Sequence, residues 1–123
     1  MNIPIYRAKK IDSDEYVMGM LTKRVFTDYL LIRDDINTNL SKIDPTTLAI
    51  HFPDMLDSQG NKIFASLSED GKGGDICYVG DFFYGALQGV ASYEDNHFRI
   101  HRKGKAMGIS LKGRDIKVIG IQE

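Results

Sequence analysis

A chain of 123 residues, 42% apolar and 27% charged, with a net charge of -1, has the size and make-up of one ordinary globular domain and is not a polyelectrolyte as a whole. No stretch approaches the ~20 apolar residues that span a bilayer, and the opening MNIPIYRAKK lacks an apolar signal core; the expectation is a cytoplasmic protein with no membrane partner. The lone Cys77 excludes an intrachain disulfide and a cysteine-rich metal site, and it fits a reducing compartment.

Strand signals dominate the first half. IPIYRAKK alternates Ile3, Ile5 and the stem of Arg7 against Tyr6 and Ala8. EYVMGMLTK alternates Tyr16, Met18 and Met20 against Val17, Gly19 and Leu21, and the polar IDSDE between the two runs reads as a hairpin connection. YLLIRDD is a further strand candidate. In DPTTLAIHF, Pro45 moves Asp44 out of helical geometry ahead of an apolar run, which predicts a short edge or ladder strand. Asp57, Gly60 and Asn61 cluster in PDMLDSQGNKIF as a hairpin or sharp corner that needs positive φ.

The second half carries five short apolar or alternating runs, DICYV, FFYGALQGVASY, HFRIHR, KAMGISL and DIKVIGI, separated by turn residues. Five short strands at this spacing suggest a small barrel. Helical candidates are confined to 24–32 and 61–69, where SLSED offers a single turn, so the chain is expected to be mainly β.

Taken as an ordered set, YRAKKIDSDEYVMGMLTK, IDPTTLAIHFPDMLDSQGNKIF, GDICYV and IKVIGI resemble the YopX-like family of phage and prophage proteins. The corner residues Asp57, Gly60, Ile63 and Phe64 match that family's D-x-x-G-x-x-I-[YF] pattern, whereas ASLSEDGKG between Phe64 and Gly74 departs from it. The resemblance implies an N-terminal β-sheet module over 1–65 packed on a C-terminal SH3-like β-barrel over 66–123, together one unit. It also implies a phage or prophage origin and residence in a bacterial host cell. No enzymatic activity or cofactor comes with it.

GKGGDICYVGDFF poses the sharpest chemical question, because three glycines around Lys72 are the raw material of a phosphate loop. Such a loop runs strand, glycine turn, helix, so that converging amides and the helix dipole meet the anion. Here the glycines precede a strand, the G-x-x-x-x-G-K-[ST] spacing is absent, and the Asp75 carboxylate would repel a phosphate. Gly71, Gly73 and Gly74 therefore read as a turn, and Asp75 as a turn residue where the strand begins.

His97 and His101 fall four apart, which on a strand leaves them about 13 Å apart, too far for one metal ion. The alternation turns Phe98 and Ile100 inward and leaves His97, Arg99 and His101 on the outer face. There is no G-x-S-x-G elbow, and Cys77 has no adjacent base, so no catalytic, cofactor or metal residue is assigned. A small hydrolase stays open only if a pocket gathers His51, His97 or His101 with carboxylates.

Charge is distributed unevenly. Residues 97–117 hold seven basic side chains against Asp115 alone, a net of +6, while the rest of the chain carries nine basic and 16 acidic side chains, a net of -7. A basic hairpin of this kind meets either nucleic acid, through Arg99, Arg102, Lys103, Lys105, Lys112 and Arg114, or another subunit's acidic face, or it simply protects an edge strand. Phe98 is the only aromatic residue inside the stretch and is expected in the core, which disfavours single-strand binding by stacking. The reading that joins these features is a non-enzymatic interaction module with an unidentified protein partner, self-associating as a homo-oligomer.

Overall fold

The computed structural model describes residues 4–23, 30–34, 40–81, 85–94, 97–101, 108–110 and 115–123. They form eleven β-strands and one 3-10 turn, with no α-helix among the described residues. No helix among them is long and apolar enough to cross a membrane.

β1 (Ile5–Lys9) and β2 (Tyr16–Lys23) pair as the antiparallel hairpin that IDSDE predicts, closed by the Lys10 N–H donating to the Glu15 carbonyl at 2.8 Å. β3 (Leu30–Asp34) and β4 (Leu40–Lys42) extend the sheet antiparallel. An isolated bridge between Lys10 and Ile43 then curls the end of β4 back toward β1. Alternation along these strands sends Ala8, Val17, Leu21, Leu30 and Ile32 to one face, where they pack with Ile43, Leu48 and Tyr6.

Asp44 caps the 3-10 turn Pro45–Thr47, its carboxylate accepting from the Thr46 N–H at 3.0 Å. β5 (Ala49–His51) follows and lies between β1 and β6 (Ala65–Ser66), so it is an interior ladder strand and not an edge. The helical candidate at 61–69 is replaced by β6 and a bend in which the Ser66 hydroxyl accepts from the Ser68 N–H. Of the other candidate, residues 30–32 are strand and 24–29 lie outside the described residues.

β7 (Asp75–Asp81), β8 (Gly85–Glu94), β9 (His97–His101) and β10 (Gly108–Ser110) form an antiparallel meander, and β11 (Asp115–Ile121) returns to pair with β7. A single parallel bridge, Ser66 to Ser92, joins β6 to β8 and makes one mixed sheet ordered β10-β9-β8-β6-β5-β1-β2-β3-β4, with β7 and β11 branching from β8. The expected division at 65/66 thus falls inside β6, with ladders continuing across it. The sheet is open: among the described residues no ladder joins β10 to β11. Ile50, Ile63, Ala65, Cys77, Val79, Ala91, Ile100 and Ile116 form the second core, and Tyr6 packs against both.

Candidate functional site

Burial of charge is costly unless it is paired, so the first place to look is where this fold hides ionised groups. Arg7 sits at the alternate parity from the core-facing Tyr6 and Ala8. Its Nη2 donates to Asp75 Oδ1 at 2.7 Å and to the Gly73 carbonyl at 2.9 Å. Asp75 is 1% exposed, and its second oxygen accepts from the Phe64 N–H at 2.8 Å. The guanidinium lies over the Phe64 ring at 4.5 Å and the Tyr16 ring at 5.7 Å, two cation–π contacts that compensate part of its desolvation. Arg7 Nε is buried with no hydrogen-bond partner.

The glycine turn beside this pair is closed to anions. The Gly71 N–H donates to the Ser68 carbonyl, Lys72 to the Asp70 carboxylate, Gly73 to Gln122, Gly74 to Gly71 and Asp75 to Phe64. Every amide that a phosphate would need therefore already has an acceptor inside the protein. Residues 71–75 are a clasp that ties β1, β6 and Gln122 together, as the turn reading expects. Asp75 does more than that reading gave it, because it is the counter-charge of a residue 68 positions away.

His51 is buried, with Nδ1 at 3.1 Å from the Ile63 carbonyl and its ring 5.4 Å from Phe64. Burial pushes this imidazole below its usual range, against the opposing pull of the Ile63 carbonyl. Cys77 is fully buried in β7, and burial, with Asp75 and Asp57 nearby, pushes its thiol up to about 12, far from a thiolate nucleophile. No group of three or more potential metal ligands occurs among the described residues.

Phe98 packs against the core and Ile100 is fully buried, while His97 and Arg99 are exposed, as the alternation requires. Arg99 faces out from β9, paired with Ser92 on β8 and Ser110 on β10. His97 and His51 lie on β9 and β5, with β8 and β6 between them. Arg102, Lys103, Lys105, Lys112 and Arg114 lie outside the described residues, and His101 is described only by its place at the end of β9.

Two exposed features were not singled out by the sequence reading. Met18 and Met20, 52% and 55% exposed, project from β2 beside exposed Arg33, the cross-strand partner of Met20. On the C-terminal strands, Tyr78 is 47% exposed between exposed Lys117 and exposed Gln88, its register partners on β11 and β8. The pattern in β2 was legible as alternation, but which face would be covered depends on the packing of later strands. The chain matches no protein-family model, no curated protein and no solved structure.

Proposed function

We propose that this chain is a non-enzymatic accessory or interaction module of phage or prophage origin, YopX-like in kind, that acts by self-association in the cytoplasm of a bacterial host. The observation that carries the reading is a contrast in how side chains are used. The buried ionisable groups Arg7, Asp75 and His51 are engaged by the protein's own backbone and side chains, while apolar Met18 and Met20 stand in solvent on one strand. Unbranched, polarisable methionines suit an adaptable protein contact, and neighbouring Arg33 gives it a charged rim.

An SH3-like barrel is our reading of the C-terminal strands. Its support is the order β11-β7-β8-β9-β10, in which β7 and β11, the first and last of the five in chain order, pair, and the shared apolar face of Cys77, Val79, Ala91, Ile100 and Ile116.

Sedimentation velocity across micromolar concentrations tests the association. Wild-type protein is expected to exceed the monomer mass, and M18S/M20S is expected to return toward it with its thermal midpoint little changed, since both side chains are more than half exposed. A strict monomer at all concentrations removes self-association from the reading.

A further inference from the structure

A tyrosine on an exposed sheet face presents an apolar ring with a polar tip, and the ladders place Tyr78, 47% exposed, in a polar row. The register of β11, β7 and β8 sets Lys117, Tyr78 and Gln88 directly opposite one another, and all three are exposed. Cross-strand neighbours on one face have Cβ atoms about 5 Å apart, so the row spans about 10 Å. Ile119, 49% exposed, lies two residues beyond Lys117 at the bulge between Val118 and Gly120.

We propose that this row is a binding site for single-stranded nucleic acid. Its three members supply different chemistries that one nucleotide needs together. The Tyr78 ring offers a stacking surface for a base, the Gln88 amide carries both a donor and an acceptor for a base edge, and the Lys117 ammonium meets a phosphate. Lys117 belongs to a stretch of sequence, 97–117, with a net charge of +6, which favours as ligand a polyanion with π faces over an apolar protein surface. Asp115, two residues before Lys117, is the single acidic side chain of that segment.

The one aromatic residue inside 97–117, Phe98, packs against the core and argued against stacking, but β11 returns to β7 and brings in Tyr78, 39 positions before Lys117. Duplex DNA keeps its bases stacked on each other and offers this ring nothing, so the site discriminates by strandedness. The inference stands apart from self-association through Met18 and Met20, which lie on β2.

Fluorescence anisotropy of labelled oligo(dT), oligo(U) and a duplex of equal length, at about 50 mM salt where the electrostatic contribution is large, reads the binding. The single strands are expected to bind more tightly than the duplex, Y78F to bind as wild type, and Y78A to lose about tenfold or more. K117Q is expected to reduce the magnitude of the slope of log affinity against log salt by about 0.7, the value for one lost phosphate contact on a single strand. The chain has no tryptophan, so Y78W provides a single indole whose emission is expected to be quenched as oligonucleotide saturates the site.

No retention of any oligonucleotide at that salt overturns the proposal. So do equal affinities for duplex and single strand, unchanged binding by Y78A, or an anisotropy rise in Y78W without quenching. Sedimentation of Y78A at the same concentrations keeps the two readings separable, since loss of the nucleic-acid site leaves the oligomer mass as it was.

Discussion

Two turns, at 57–61 and 71–75, each combine glycine with one aspartate and hold the molecule in different ways. At 57–61 the carboxylate mostly serves its own turn: Asp57 Oδ1 accepts from the Gln59 and Asn61 amides at 2.9 and 2.8 Å, and Oδ2 from the Asn61 side chain at 3.2 Å. Its remaining contact, from the Val118 N–H at 3.2 Å, joins the Ser58 hydroxyl and amide in occupying the outer edge of β11. At 71–75 the backbone closes the turn by itself, and the Asp75 carboxylate is left to neutralise Arg7 across the sheet. The difference teaches that an aspartate in a glycine turn can serve either a local motif or a long-range clasp. What separates them is whether a cation waits at the right strand parity.

The largest expected effect comes from breaking the clasp. Removing one member of a buried ion pair strands the other, so R7M or D75N alone is expected to lower unfolding free energy by about 3–5 kcal/mol, a large share of a small domain's stability. The double variant R7M/D75N is expected to recover more than half of the sum, because no uncompensated charge remains and Asn still offers an oxygen to the Phe64 N–H. D57A, which leaves no buried counter-charge behind, is expected to cost about 1–3 kcal/mol. Chemical denaturation of the four variants measures all of this. Equal costs for D57A and D75N, or strict additivity in the double variant, would show that the two turns hold the fold in the same way.

A second comparison uses the glycines themselves. Gly60 and Gly73 share the same left-handed φ of 84°, but a Cβ on Gly60 meets nothing, whereas one on Gly73 runs into the Thr47 carbonyl and its backbone. G60A is therefore expected to cost about 1–2 kcal/mol for its conformation alone. G73A adds a backbone collision that no rotamer relieves, for about 1–3 kcal/mol more. A thermal-melt difference between the two variants tests whether the clasp is tight; indistinguishable midpoints would mean that residues 71–75 move away from the 3-10 turn without penalty.

How much of this was legible follows from sequence distance. Alternation around Ile5, Tyr16, Cys77 and Ile116 marked strands correctly because each run is long enough to show its period. β4 and β6 were missed: three and two residues carry no period, and they are strands only because Leu31 and Ile50 offer them ladders. The glycine turn was read correctly from its order relative to the strand. Its partner was hidden, since Arg7 on the face opposite Tyr6 and Ala8 is as easily a solvated charge as a buried one until Phe64 and Asp75 arrive over it. Alternation in HFRIHR correctly turned His97 and Arg99 outward, but nothing local indicated that His51 would be buried beneath Phe64.

The smallest expected effect, a dependence on acid, separates the turn at 57–61 from the histidine beside the clasp by the pH at which each weakens. Burial alone would raise the Asp57 carboxyl, but the hydrogen bonds from Asn61, Val118 and Gln59 together outweigh it and hold the group below its ordinary value of 3.8. A carboxyl lowered by folding contributes stability that is complete above 3.8 and is lost as pH falls through its folded value, because the unfolded chain takes up the proton first. For His51 the shift is also downward, from 6.5, and the neutral ring is the folded form; stability is complete above 6.5 and declines as pH falls below it toward the folded value. Denaturation midpoints followed from about pH 8 to about pH 2, a range more than about 1 unit beyond both ordinary values, are therefore expected to fall in two stages. H51Q, which can still donate to the Ile63 carbonyl, flattens the upper stage, and D57N flattens the lower. If H51Q left the decline that begins near 6.5 unchanged, the buried imidazole would not be the group that titrates there.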